Sequence, residues 1–282
     1  PEGRARARRP ELKRDGSPMF ENDYKHISFA RSDNILRVTL NRPERLNAIT
    51  GPMHHELSRL FFDLDRDERS DVIVLTGAGK AFSAGGDIDH LEQCRVDPAL
   101  FNEALREAKQ LVSGLLGCSK PIICRLNGDA VGLGATVALF CDIIIAADHA
   151  RIGDPHVRIG LVAGDGGAVI WPQLIGYARA KQYLLTGDLI DAGEASRIGL
   201  INFAVPGAEL DAKVEEWATR LARGPTLAQR WTKAAINVGL RQQAATVMES
   251  GLAYEGLSQR TEDHAEAIAA MRDRRKPEFK GR

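Results

Sequence analysis

Short apolar runs alternate with longer amphipathic segments along the chain from Tyr24 onward. The short runs are rich in Ile, Val and Leu and are bounded by Gly, Pro or Asn, which is typical of strands. We predict strands over residues 26–30, 35–40, 71–76, 121–126 and 142–147. Together these runs can build one sheet.

Apolar residues at helical spacing fill the gaps between the predicted strands. Met53, Leu57, Phe61 and Leu64 recur on one face of a segment that follows Pro52, and proline is tolerated in a first helical turn. Residues 100–115 and 133–140 show similar spacing. Strands separated by helices predict crossover connections and a mostly parallel sheet that is covered on both faces.

The pattern becomes mainly helical after about residue 176. We predict helices over residues 208–223, 226–238 and 241–271, with one strand over 200–205. The chain thus divides into an α/β core over residues 19–205 and a helical C-terminal region over 206–282. Residues 1–18 are rich in Arg, have almost no apolar side chains and cannot fold alone. We interpret them as a disordered tag or tail, and a basic anchoring arm is the alternative.

Composition excludes several function classes. The 282 residues include 38 Lys and Arg against 38 Asp and Glu, so the formal charge is zero. Proteins that bind nucleic acid or anionic membranes need clustered positive charge, so neither partner is expected. No uncharged apolar run approaches the roughly 18 residues of a membrane span, and the four cysteines lack metal-ligand spacing. We expect a cytoplasmic protein with reduced thiols and no metal site.

Two glycine-rich turns stand between a strand and a helix start, at residues 80–88 and 127–136. Glycine allows the backbone to approach a ligand closely, and the first N–H groups of a helix have no intrahelical acceptor. If the turns face each other, two N–H groups point at one oxygen and form an oxyanion hole. The alternative is two ordinary turns.

Three histidines carry a weaker signal. His54 and His55 lie on a charged helix, and we expect them on its solvated face. His90 follows the first glycine turn, and a surface role is expected for it rather than a place in the site.

Four segments together resemble the crotonase family, which is also called the enoyl-CoA hydratase/isomerase superfamily. They are RLNA at residues 45–48, GKAFSAGGDI at residues 79–88, NGDAVGLGATVALFCDIIIAAD at residues 127–148, and the tail with Phe279 and Lys280. The resemblance covers roughly residues 24–282 in order.

This resemblance implies a ClpP/crotonase-like ββα-spiral fold and a homotrimer or dimer of trimers built through the C-terminal helices. It implies an acyl-CoA substrate, with coenzyme A as part of the substrate and no other cofactor. The thioester carbonyl would lie between the backbone N–H groups of Gly86 and Leu133, although the family usually has glycine at the second position. The implied CoA contacts are Arg45, Leu46, Ala48, Lys80, Phe82, Ala84, Asp87 and Ile88, with Phe279 and Lys280 reaching a neighbouring subunit.

The sequence departs from the family at the catalytic positions. A typical hydratase of the family adds water with two glutamates, and these would stand at Thr136 and His156. Threonine is far too weak an acid to exchange protons near neutral pH, whereas histidine has an ordinary pKa of about 6.5. The two-glutamate mechanism therefore cannot run unchanged here.

Two carboxylates are candidates to replace the missing ones. Asp165 lies in a glycine-rich helix start after His156, so we predict a pair in which His156 is the base and Asp165 orients it. The alternatives are a helix cap for Asp165 and a satisfied core histidine for His156. Glu255 shares an apolar helix face with Met248 and Leu252, and it either pairs with Arg or Tyr or lines the site.

Three functions remain open. The leading hypothesis is an enoyl-CoA hydratase/isomerase-like enzyme, a lyase or isomerase, that stabilises a thioester enolate with a His156/Asp165 centre. The second is a hydrolase that cleaves a carbon–carbon bond of a β-diketone or β-oxoacyl substrate, since the PH…GDG…WP pattern and the SGLAYE run resemble β-diketone hydrolases of the 6-oxocamphor hydrolase type. The third is an acyl-CoA-binding protein without activity.

Overall fold

The computed structural model describes residues 19–282, and the predicted tail over residues 1–18 lies outside this range. The strands are β1 Ile27–Ser32, β2 Ile35–Leu40, β3 Val72–Gly77, β4 Ile122–Leu126, β5 Ala130–Val131, β6 Ile143–Ala147, β7 Arg151–Gly153, β8 Ile190–Asp191 and β9 Phe203–Val205. The helices are α1 Gly51–Arg66, α2 Ile88–Val96, α3 Pro98–Gly117, α4 Leu133–Leu139, α5 Gly167–Thr186, α6 Ala192–Arg197, α7 Leu210–Ala222, α8 Thr226–Ser258 and α9 Glu262–Asp273.

The main sheet has six strands in the order β1-β2-β3-β4-β6-β9. β1 pairs antiparallel with β2, and every later pair in this sheet is parallel. A second sheet of three strands has the order β5-β7-β8. The predicted mostly parallel sheet is therefore confirmed, and its parallel strands follow helical crossovers as expected.

Helices cover both faces of the main sheet because its central strands are apolar on both faces. On one face, Ile73 and Leu75 belong to the large core that also contains the buried sides of α1 and α3. On the other face, Val72 and Val74 pack in a smaller cluster with Leu210 and other residues of α7. Among residues 19–282, no helix is both long and apolar enough to cross a membrane.

The C-terminal helices break at a different place from the prediction. Residues 226–258 form one continuous helix through Gly239, whereas we predicted a break between residues 238 and 241. A single glycine inside a helix costs only about 1 kcal/mol, so it does not end one that packs well. The break comes after Ser258, where the Thr261 side chain accepts a hydrogen bond from the His264 N–H and caps α9.

Strand pairing places both glycine turns at one edge of the fold. β3 and β4 are adjacent and parallel, so the chain leaves both at the same edge of the sheet. The turn after β3 is joined to β5 by the bridge between Ser83 and Ala130. β5 runs parallel to β7, with Val131 opposite Gly153, and the Gly132 N–H donates to the Gly153 carbonyl. Whatever follows Gly153 must therefore lie beside the second glycine turn.

Asn47 fastens the first glycine turn to the preceding loop. Its side chain accepts from the Arg42 N–H at 2.8 Å and donates to the carbonyls of Ala78 and Ala81 at 2.9 Å each. The residue is fully buried and has a left-handed backbone with φ of 55°, which asparagine tolerates better than most residues. One side chain thus holds three backbone groups. Two of them, the Arg42 N–H and the Ala78 carbonyl, have no other partner among residues 19–282, whereas the Ala81 carbonyl also accepts from Asn127 Nδ2 at 3.2 Å.

The substitution Asn47→Ala should lower the free energy of unfolding by about 2–4 kcal/mol, because it leaves the part-buried Arg42 N–H and Ala78 carbonyl without partners. Denaturant unfolding measures this loss. Asn102→Ala on the exposed side of α3 is the matched control and should stay within about 0.5 kcal/mol of the parent. A loss below about 0.5 kcal/mol for Asn47→Ala would contradict this role.

Candidate active site

The two glycine turns pack against each other and leave two amides without an acceptor. Gly85 has a φ of 85°, and a Cβ on it would lie 2.7 Å from the Val131 carbonyl oxygen, so only glycine fits this approach. Among the hydrogen bonds of residues 19–282, neither the Gly86 N–H nor the Leu133 N–H has a partner. Leu133 is the first residue of α4, where the N–H has no intrahelical acceptor. Both residues line one cavity, so both amides are available to a ligand bound there.

His156 lies beside the second glycine turn. It follows Gly153 by three residues, and β7 brings that segment next to β5. A Cβ on Gly132 would lie 3.7 Å from His156 Cε1 and 4.0 Å from Gly85 Cα. The imidazole is thus in contact with the turn that carries the Leu133 amide.

Two aspartates hold the imidazole of His156 from opposite edges. His156 Nδ1 is hydrogen-bonded to Asp154 Oδ1, and its Nε2 lies 3.5 Å from Asp165 Oδ2. We predicted the orienting role for Asp165, but the group that fixes Nδ1 is Asp154, which is not among the predicted site residues. The pairing of His156 with Asp165 is present in the structure, on the other nitrogen.

Asp165 is positioned by glycines on both sides. Gly166 has a φ of 134°, and a Cβ on it would lie 2.6 Å from Thr136 Cγ2, so the turn can pack on α4 only without a side chain there. Thr136 Oγ1 donates to Asp165 Oδ1 at 3.4 Å. The residue next to α5 is Gly166, so Asp165 is not the N-cap residue of that helix. The first turn of α4 therefore carries a hydroxyl that contacts the buried aspartate.

Glu255 approaches the same centre from α8. A Cβ on Gly164 would lie 2.4 Å from the Gly251 carbonyl oxygen and 2.8 Å from Glu255 Oε2. Helix α8 can therefore pack this closely against the segment before α5 only because residue 164 has no side chain. Glu255 is 7% exposed, and its Oε2 has no hydrogen-bond partner among residues 19–282. The expected alternative of a structural pair with Arg or Tyr is wrong within this range, and the carboxyl group lines the cavity instead.

Burial and mutual repulsion decide which of these groups is charged. Burial disfavours the charged form of His156, but the carboxylates of Asp154 and Asp165 outweigh it and hold the pKa of the imidazole well above its usual range. Burial is the main reason that the pKa of Asp165 is raised, and the His156 charge opposes that shift. Burial, followed by the charge of Asp165, raises the pKa of Glu255 to about 8. Near neutral pH the site therefore contains an imidazolium ion between two aspartates and a protonated glutamate.

The cavity at this centre has a volume of about 210 Å³ and mainly apolar walls. Its walls include Ile49, Ala84, Leu91, Phe101, Ala104, Leu105, Ala108, Val131, Leu133, Ile159, Leu161 and Met271. His54 and His90 also line it. The expectation of a solvated His54 is wrong, because its ring is buried against Glu107 between α1 and α3. His90 is half-buried in the cavity wall rather than on the surface.

The residues implied as CoA contacts lie around the first glycine turn. Arg45, Leu46 and Lys80 are exposed, and Ala84 lines the cavity. Asp87 caps α2, and Ile88 begins that helix. Of the other implied contacts, Ala48 is half-buried and Phe82 is buried. Phe279 and Lys280 lie in the C-terminal tail, where the backbone N–H of Lys280 donates to the side chain of Asp263.

A metal ion could also fit between three of these side chains by distance alone. One ligand atom each from Asp154, His156 and Asp165 lies within 4.8 Å of the other two. The hydrogen bond to Asp154 uses Nδ1 of the imidazole, and the Asp165 contact uses Nε2, so a metal would have to displace one of them. The donor set fits proton exchange better, and the predicted absence of a metal stays a prediction.

Comparison with known proteins gives consistent results. The profile of the enoyl-CoA hydratase/isomerase family matches residues 30–282. A probable enoyl-CoA hydratase of Mycobacterium tuberculosis is 32% identical over 260 residues, which are 91% of this chain and 98% of that protein. An enoyl-CoA hydratase/isomerase structure from Mycobacterium paratuberculosis has a TM-score of 0.84 at 35% identity and covers 86% of this chain and 97% of its own. The structure of a β-diketone hydrolase from the cyanobacterium Anabaena, bound to (S)-3-oxocyclohexyl acetic acid, has a TM-score of 0.81 at 31% identity. The match covers 86% of this chain and 98% of the hydrolase.

Replacing Glu255 by Gln should stabilise the fold most at alkaline pH. Glu255 has a pKa of about 8 in the folded chain against an ordinary value of 4.5, so folding is penalised increasingly as the pH rises from 4.5 to 8. Glutamine does not ionise and escapes this penalty. We expect Glu255→Gln to match the parent's melting temperature near pH 5 and exceed it by at least about 3 °C near pH 8.5.

Thermal unfolding at several pH values measures this difference. Glu103→Gln, at an exposed position of α3, is the control and should show no such pH dependence. Equal shifts at both pH values for Glu255→Gln would mean that the carboxyl group is ionised normally in the folded protein.

Proposed function

The chain belongs to the enoyl-CoA hydratase/isomerase family, and we propose that it converts an acyl-CoA thioester through an enolate held by the Gly86 and Leu133 amides. In this proposal the Asp165–His156 pair takes the proton. The observation that carries it is the position of this buried pair beside the second glycine turn, next to an N–H group that has no partner. Family membership supports the substrate class, and the site supports the assignment of roles.

The proposed reaction begins at the carbon next to the thioester carbonyl. Asp165 removes a proton from that carbon, and the electron pair moves onto the carbonyl oxygen. The two amides donate to the developing negative charge, and each such donor contributes on the order of 3–4 kcal/mol to transition-state stabilisation. The His156 imidazolium lowers the energy of the ionised Asp165, while Asp154 keeps the ring in place. The charge on His156 favours Asp165, not the imidazole, as the base.

Glu255 supplies the complementary acid. It is protonated near neutral pH, so it can return a proton to a different carbon of the enolate. With a double bond between the β and γ carbons of the acyl chain, the enolate is conjugated and the proton returns to the γ carbon, so the double bond moves to the α,β position and the atom count is unchanged. Transfer of the proton from Asp165 to Glu255 then restores both groups. The reaction uses one carboxylate from the turn before α5 and one from α8, rather than two glutamates at the positions of Thr136 and His156.

The surface beside the cavity supports a CoA ester over a free substrate. Arg45 and Lys80 place two exposed cationic side chains near the first glycine turn, where phosphate groups can bind without desolvating them. The cavity itself is too small and too apolar for the nucleotide part, so that part would lie outside on this surface.

A carbon–carbon hydrolase is the second candidate. In that reaction Asp165 would take a proton from water, the water oxygen would add to a carbonyl carbon, and the bond to the neighbouring carbon would break. The electron pair would leave as an enolate, and Glu255 would protonate its carbon. The similarity to the Anabaena β-diketone hydrolase and the Asp165–His156–Glu255 cluster favour this candidate, whereas the cationic surface favours the first. An acyl-CoA-binding protein without activity is disfavoured, because buried titratable groups in a cavity wall destabilise the fold, and proton transfer needs such groups whereas binding of a CoA ester does not.

A thermal-shift panel separates the two candidates. We expect CoA and saturated acyl-CoA esters to raise the melting temperature, and cyclic diketones to leave it unchanged. Stabilisation by diketones without any response to CoA esters would overturn the first proposal in favour of the hydrolase. If neither CoA esters nor diketones change the melting temperature, neither candidate function is supported.

The substitution Asp165→Asn should lower kcat/KM for the best acyl-CoA of that panel by at least about 100-fold, because general-base catalysis contributes 10²–10⁴-fold. Stabilisation by the same CoA ester should persist, since the CoA surface is unchanged. Asp188→Asn, which removes an exposed partner of Arg158, is the control and should stay within about threefold. An Asp165→Asn enzyme of nearly normal activity would rule out Asp165 as the base.

A further inference from the structure

A second polar cluster lies in the cavity wall formed by α1 and α3. His54 Nδ1 is hydrogen-bonded to Glu107 Oε2 at 2.6 Å, and His55 Nδ1 to Glu107 Oε1 at 2.7 Å. His54 and Glu107 are buried, whereas the His55 side chain is 64% exposed. Only His54 of this trio lines the cavity.

The cluster interrupts a helix contact that is otherwise apolar. Leu57 and Phe61 on α1 share a face with His54, and Ala108 and Leu111 on α3 flank Glu107. A buried ion pair in such a contact adds little stability compared with a well-packed apolar pair. Its position at the cavity therefore indicates a role in binding.

The nitrogen of His54 that remains for a ligand is Nε2. Glu107 occupies Nδ1, and the hydrogen bonds from His54 and His55 outweigh burial and lower the pKa of the Glu107 carboxyl, which stays ionised. A ring fixed in this way can accept a hydrogen bond at Nε2 when neutral and donate one when charged. It can therefore bind either a hydroxyl or a carbonyl oxygen.

His54 and the catalytic centre share one space. His54 lines the same cavity as His156 and Asp165. Leu91, Leu105 and Leu133 also line this cavity. An acyl group in this cavity would therefore be exposed to apolar walls and to two separate polar groups.

We propose that His54, positioned by Glu107, forms a second polar subsite that binds a keto or hydroxyl oxygen on the acyl group of the substrate. The inference rests on the proposed function for the CoA half of that substrate. An uncharged oxygen fits better than a carboxylate, because Asp165 lines the cavity and two further carboxyl groups, Glu107 and Asp154, lie on the Nδ1 atoms of two of its imidazoles. The enzyme should thus prefer acyl-CoA esters that carry an oxygen beyond the thioester.

The test compares pairs of CoA esters that differ in one oxygen. Acetoacetyl-CoA is paired with butyryl-CoA, and levulinyl-CoA with valeryl-CoA. Dissociation constants are measured by calorimetry in an Asp165→Asn background, which prevents turnover. We expect at least one oxo ester to bind about 10-fold or more tightly than its partner, as one hydrogen bond to a buried polar group allows.

The substitution His54→Leu should abolish this preference. The ratio of the two dissociation constants should fall to about one, while the ester without the oxygen keeps its affinity within about threefold. His54→Phe, which keeps a planar ring between the helices, replaces it if the leucine variant does not fold. His55→Ala is the matched control, because it removes the other partner of Glu107 outside the cavity and should leave the ratio unchanged.

Two results would overturn the subsite. One is a parent protein that binds both esters of each pair with about the same dissociation constant. The other is a His54→Leu variant in which both esters of a pair lose affinity equally. If no CoA ester binds at all, the same comparison is made with a cyclic diketone and the matching cyclic ketone. A diketone preference that His54→Leu removes would keep the subsite and refute the acyl-CoA proposal, and a ratio near one there would refute both.

Discussion

The ion cluster of His156 with Asp154 and Asp165 is the constraint on which the rest of the site depends. An imidazolium ion is stable in a buried cavity only if carboxylates compensate its charge, and here one lies at each ring nitrogen. With its charge fixed, the ring cannot act as the base near neutral pH, so that role passes to Asp165. Burial, followed by the charge of Asp165, raises the pKa of Glu255 and keeps it protonated. The site thus contains an acid and a base that are both carboxyl groups.

The fold creates this cluster by backbone pairing and glycine contacts rather than by local sequence. The short strand β5 pairs with β7, and this pairing brings Gly132 next to the segment that begins at Asp154. Gly166 lets the Asp165 turn rest on Thr136, and Gly164 lets α8 approach with Glu255. Each acidic group comes from a different segment, so each depends on a close approach that a side chain would block.

The sequence predicted the strands and the parallel sheet well, because buried parallel strands are continuous apolar runs, as at Val72–Gly77. It predicted His156, Asp165 and Glu255 as site residues, but it could not show which nitrogen each carboxylate faces, since that depends on the small second sheet. Asp154 was missed although it lies two residues before His156. His54 was missed because its neighbours are charged, yet its spacing to Leu57 and Phe61 places it on the buried face of α1.

The charge of His156 is the most direct test of this account. Nitrogen NMR of histidine-labelled protein, with the signal assigned by its loss in His156→Gln, follows the protonation of this ring across pH. We expect both ring nitrogens to remain protonated through pH 7 and above the pH range in which an ordinary histidine loses its proton. A ring that loses its proton near its usual pKa of about 6.5 would contradict the account, because Asp165 would then have no fixed cation beside it.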